Sequence, residues 1–204
     1  MYKNKAKLYV EGIADKRFLE EYLEFLYHIR PDKNDVTELK GWTNLGREAA
    51  INDLQKNTAN GGLNLVILDA DNNPLIRRAE IEDIKQTNGL HFELFLLPDD
   101  SSPGALEDLL ISAMNPINQS VCGCWARYEW DLLQQTIPWK KPPTPTIPAK
   151  KTRIYAYLEA LVGEAREQKK LIKEAERKYM DPNHWDLSAK GLIMLKTFLD
   201  KYLK

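Results

Sequence analysis

Apolar residues in the first half of the chain alternate between two patterns. Short runs, KLYV at 7–10, LNLVILD at 63–69 and HFELFLL at 91–97, with a weaker VTEL at 36–39, have the length and aliphatic character of strands. Between and after them apolar positions recur at helical spacing. Phe18, Leu19, Tyr22, Leu23, Phe25 and Leu26 predict a helix over 15–28. Leu45, Ala49, Ile51 and Leu54 predict a second over 43–57; Pro74 opens a third that Asn88 and Gly89 close, and residues 104–114 carry a fourth. Strands are expected near 6–11, 35–40, 63–69 and 91–97.

Strands that alternate with helices of this length imply right-handed crossovers. The pattern predicts an α/β fold of Rossmann-like kind, with a mostly parallel four-stranded sheet and helices on both faces, over residues 1–118. A helical extension, 119–204, is expected to pack on that core. Within it CGCWARYEWDLLQQ reads as helix, 138–151 as a proline-rich basic loop, 152–180 as one long charged helix, and 187–203 as a last helix. The stripe Leu192, Leu195, Phe198, Leu199 and Leu203 should dock that last helix on the core.

Composition narrows the class. With 204 residues, 43% hydrophobic and 29% charged, the chain can bury a substantial core, and a formal charge of -1 leaves any nucleic-acid surface to local clusters of Lys and Arg. No signal-peptide pattern and no run of about 18 apolar residues occurs, so the expectation is a cytoplasmic protein without a membrane partner. Cys122 and Cys124 lack the second ligand pair of a zinc site, and His28, His91 and His184 are scattered without ligand spacing.

In a parallel sheet the carboxyl ends of the strands share one edge, where ligands bind in open α/β folds. Glu11 ends the first strand, Asp69 and Asp71 the third, and Asp99 and Asp100 the fourth. The predicted topology gathers these acids into one pocket, and an Asp-x-Asp leaving a strand offers the oxygen ligands that Mg²⁺ prefers. Asp99 and Asp100 join the set on topology alone.

YVEGIADKRFL resembles the first motif of the Toprim domain, shared by topoisomerases, primases and OLD-family (overcoming lysogenization defect) nucleases. LVILDADNN resembles its D-x-D motif, and FLLPDDSSPGALEDLL is similar to small stand-alone Toprim proteins classed as a domain of unknown function. The likeness covers residues 5–115. It implies a Toprim-like fold and metal-dependent phosphodiester chemistry on DNA or RNA. Glu11 would be general acid or base and metal ligand, Asp69 and Asp71 would hold Mg²⁺ or Mn²⁺, and Asp15 and Glu107 would be supporting acids, with Asp99 added from topology.

An OLD-type nuclease, acting with a partner ATPase, is therefore expected, since no G-x-x-x-x-G-K-[ST] occurs in this chain. The catalytic lysine of such nucleases is open among Lys16, Lys40 and Lys151. Lys140, Lys141, Lys150, Lys151 and Arg153 frame the proline-rich segment and are expected near the acidic edge, on phosphates. The rival reading is a non-catalytic Toprim-like module that binds nucleic acid or protein.

Overall fold

The computed structural model describes residues 6–204, and the chain's opening residues, part of the expected first domain, lie outside them. Strands β1 (Ala6–Val10), β2 (Val36–Glu38), β3 (Leu63–Asp69) and β4 (Glu93–Leu97) form one sheet in the order β2-β1-β3-β4. Every pairing is parallel, with Tyr9 opposite Val66 and Ile67 opposite Phe95. Helices α1 (Ile13–Tyr27), α2 (Glu48–Ala59) and α3 (Pro74–Thr87) make the three crossovers, and α4 (Leu106–Ser112) follows β4. The expected α/β, Rossmann-like architecture is the one observed.

Both faces of the central strands are covered, which is why they read as unbroken apolar runs. Side chains alternate along a strand. Leu8, Val10, Leu65, Ile67, Phe95 and Leu97 therefore enter one apolar layer and Tyr9, Val66, Leu68, Leu94 and Leu96 the other. The second layer is closed by Leu54 of α2 and Ile81 of α3. The polar exception, buried Asn64 in β3, donates to Leu54 O, Thr58 Oγ1 and His91 O at 2.9–3.1 Å and so clamps α2 against the sheet.

Helices α5 (Gln119–Leu133), α6 (Lys150–Leu161), α7 (Arg166–Lys170) and α8 (Ile193–Leu203) complete the chain. The first layer contains Ile154, Tyr157 and Leu158 of α6, Tyr179, Trp185, and Leu195, Leu199 and Leu203 of α8, so the extension shares the core of the sheet. Phe198 meets Phe95 at 5.1 Å between ring centroids, which docks the expected C-terminal stripe.

Three expected helices differ. The one at 43–57 splits into a 3₁₀ turn, Trp42–Gly46, and α2. Leu45 and Leu54 are both fully buried, yet nine residues of α-helix would set them on opposite sides at about 100° per residue. The long helix expected over 152–180 ends at Leu161, where Val162 is extended (φ -83°, ψ 152°). Unbroken, it would carry Tyr179 roughly 30 Å beyond Leu158 at 1.5 Å per residue, whereas Tyr179 packs edge-on to Phe18 at 5.3 Å. The last helix begins only after a 3₁₀ turn at Lys190–Leu192. Lys150 and Lys151, expected in the loop, form the first turn of α6.

Candidate active site

The carboxyl edge is built by three short connections. Glu11 follows β1 directly, and its carbonyl accepts from Gly41 N at 2.9 Å. Gly12 then caps α1 with its own amide held by Asp15, whose Oδ2 accepts from Gly12 N at 3.0 Å. This reach back to the cap turns Asp15 toward the sheet edge, and it is 7% exposed. Asp69, last in β3, accepts at Oδ1 from Leu106 N at 3.0 Å, so α4 is fastened by its first residue to the end of β3 and brings Glu107 alongside.

Asp71 is left-handed (φ 50°) and exchanges backbone hydrogen bonds of 2.9 and 2.8 Å with Gly104. Gly104 has φ 151°, and a Cβ there would stand 2.7 Å from Asp108 Oδ2 and 2.8 Å from Pro98 Cδ. Only glycine satisfies that closeness and that torsion together.

The acids repel one another. Burial pushes Asp69 up to about 8, helped by Asp15, Glu11 and Glu107, although the Leu106 amide pulls it down. Burial likewise raises Asp15 to about 7, against the pull of the backbone amides at Gly12 and Asp15 and with a further push from Glu11 and Glu107. Glu11 is raised by burial and by Asp71, and held back by Arg77 and by backbone amides at Asp69 and Trp42. Two buried carboxylate oxygens, Glu11 Oε2 and Asp15 Oδ1, have no hydrogen-bond partner. The structure thus brings Glu11, Asp15, Asp69 and Glu107 into one repelling group, which Asp71 joins through Glu11.

Asp99 and Asp100 lie at the same edge but face their own turn. Asp99 accepts from Ser101 and Ser102, backbone and hydroxyl alike, at 2.6–3.0 Å; burial pushes its carboxyl up, and these four donors together outweigh that and hold it below the usual range. Asp100 accepts from Leu96 N at 3.0 Å and from Arg78 at 2.5 Å.

A cleft of 390 Å³ opens beside Asp71 and Glu107, and its far wall is Lys150 and Lys151. Lys150 pairs with Asp108; Lys151 pairs with Glu174 at 2.6 Å, and that hydrogen bond keeps it above the usual lysine value. Of the three candidate lysines, Lys151 is the one in this cleft. Lys16 is 3.8 Å from Glu20, and Lys40 lines a different cleft beside β2. Lys140 and Lys141 are outside the acid cleft, Lys140 bonded to Thr146 Oγ1 at 2.5 Å. Arg153 lines a separate apolar pocket between α5 and α6.

Sequence reasoning passed over Arg77. Its guanidinium is 4.0 Å from the Trp42 ring centroid, pairs with Asp71, and reaches Glu80 at 3.3 Å. The available signal was a cation near the N-terminus of a helix, where it opposes the macrodipole unless an acid answers it.

Among the described residues, no three His, Cys, Asp or Glu side chains form a group that could hold a metal ion as they stand, and Asp71 is turned to Arg77. The donor chemistry nonetheless suits a hard divalent cation. All the candidate ligands are carboxylates, two of their buried oxygens lack partners, and their mutual repulsion is the kind that bound positive charge relieves.

Fold and edge together define a Rossmann-like α/β protein whose acids crowd the carboxyl end of a four-stranded parallel sheet. A family model described as a protein of unknown function (DUF3226) matches residues 5–203, and the chain belongs to that family. No curated protein and no solved structure matches it. No helix among the described residues is long and apolar enough to cross a membrane.

Proposed function

We propose that the chain is a metal-dependent phosphodiesterase acting on nucleic acid, a nuclease of the Toprim kind working in the cytoplasm with a partner ATPase. The observation that carries this reading is the set of mutually repelling acids, with unpartnered oxygens on Glu11 and Asp15, beside a cleft walled by Lys150 and Lys151. Held by Asp69 and Asp71, Mg²⁺ or Mn²⁺ would supply charge neutralisation at the scissile phosphate and an oriented water.

Lys150 and Lys151 would receive the flanking phosphate oxygens, exchanging their bonds to Asp108 and Glu174 for bonds to the substrate. Glu11, its carboxyl raised by burial, would move the proton to or from the attacking or leaving oxygen. Such a group typically contributes about 10² to 10⁴ in rate. Asp15 and Glu107 would sustain the negative field that draws the cation in.

The test is a cleavage panel with Mg²⁺ and Mn²⁺ on plasmid, linear duplex and single strands, with and without the Glu11→Gln substitution. Metal-dependent cleavage lost in Glu11→Gln, with nucleic-acid affinity retained, is the expected result. Cleavage that survives Glu11→Gln would sink the assignment. A second reading, a binding module without catalysis, is favoured by one feature: Asp71, Lys150 and Lys151 are all ion-paired within the chain. Affinity without cleavage in every arm of the panel would establish that reading instead.

A further inference from the structure

No residue of α5 is buried, although the helix carries Trp125, Tyr128 and Trp130. Between α5 and α6 lies a pocket of 220 Å³ whose walls include Trp125, Tyr128, Ala156 and Tyr157, and whose one charged lining residue is Arg153. The volume is below the roughly 300 Å³ at which drug-sized ligand sites begin, so it has room for about one ring system. The Trp125 and Tyr128 rings stand 5.4 Å apart at 53°, and Tyr157 is fixed as a wall by donating to His184 O at 2.5 Å.

Arg153 has no ion-pair partner among the described residues, and Nε of Arg153 and Nε1 of Trp125 are buried without acceptors. Arg153 also stands three residues along α6 from Lys150, a rise of about 4.5 Å. One helix face therefore runs from the acid cleft to the aromatic pocket, with cations at both ends.

We infer that this pocket takes one unstacked base of a single-stranded nucleic acid, stacked on Trp125, with the neighbouring phosphate on Arg153 and the strand continuing along α6 to Lys150 and Lys151. The inference rests on the nucleic-acid reading of the acid cleft and adds the strand type and the site that reads it. An apolar wall and a lone cation match a ring attached to a phosphate better than a free ion, and bases in a duplex are already stacked and paired, out of reach of such a pocket.

The experiment is fluorescence anisotropy in EDTA, where cleavage does not enter, with a short labelled single strand, the same strand carrying one abasic site at each position in turn, its duplex, and a mononucleotide. Trp125→Leu should weaken single-strand binding about 5- to 150-fold, the range of one base–aromatic stack. An abasic site at the seated position should do the same to the unaltered protein, which needs no variant to fold, and a 2-aminopurine there should change its emission on binding. Abasic strands that all bind as tightly as the intact one, a duplex or mononucleotide that binds as tightly, or Trp125→Leu with unchanged affinity each overturn the inference. Light scattering on the same samples supplies one more overturning outcome, a dimer that Trp125→Leu dissociates, which makes a second copy the occupant. Failure of the cleavage panel with base-dependent binding intact would leave this inference standing and the catalytic reading fallen.

Discussion

Asp15→Asn should make the metal-free protein more stable, in a pH-dependent way. Asp15 uses Oδ2 to hold the Gly12 amide at 3.0 Å, a bond that the Asn carbonyl keeps, while its other oxygen is buried without a partner. The substitution therefore removes a charge and keeps the Gly12 bond, giving up only the smaller pull of the Asp15 amide. In the folded protein burial and the nearby acids raise the carboxyl from 3.8 to about 7. From pH 4 upward the unfolded chain releases this proton while the folded one retains it, so stability falls with rising pH until the folded group also ionises near 7, and is flat beyond.

At 1.36 kcal/mol per pH unit that interval amounts to about 4 kcal/mol. Asp69 shares the repulsion, and relaxation on ionisation softens it, so the gain expected above pH 7 is about 2 to 4 kcal/mol, or roughly 5 to 15 °C in melting temperature. Below about pH 4 the carboxyl is protonated in both states and the gain should shrink toward zero. Urea denaturation in EDTA at a series of pH values reads this directly. Mg²⁺ added at pH 8 should stabilise the parent more than the variant, because bound charge relieves the same repulsion. A variant no more stable than the parent at pH 8, or a gain that does not depend on pH, would refute the crowding of acids on which the site is built.

Gly104→Ala, which puts a Cβ 2.7 Å from Asp108 Oδ2 at φ 151°, should destabilise by about 1 to 3 kcal/mol and lower the melting temperature; full stability would contradict the tight bridge to Asp71. Leu199→Ala empties a fully buried position of α8 and should cost about 2 to 5 kcal/mol by urea denaturation; a loss below about 1 kcal/mol would mean that the C-terminal helix is not part of the core. Reversing Lys150 and Lys151 to Glu should weaken nucleic-acid binding and flatten its dependence on salt, whereas the same change at Lys140 and Lys141, outside the acid cleft, should do much less.

Much of the edge is legible in the sequence, because period and strand length alone put residues 11 and 69 there. β1 and β3 pair in parallel through Val10 and Ile67, so whatever follows them must emerge side by side. What spacing does not carry is the direction in which a side chain leaves a loop. Asp99 follows β4 two residues on, much as Glu11 follows β1, yet the two serines after it offer four donors that turn the carboxylate back on its own turn. Asp15 lies five residues past its strand and inside a helix, yet an extended Gly12 gives it an amide to reach for and so turns it inward. The same distinction explains Arg77, whose partner depends on Asp71 taking the left-handed region, and that in turn depends on Gly104 approaching as only glycine does. Strand ends decide which acids are available at the edge, and the local hydrogen-bond donors of each loop decide which of them become its electrostatics.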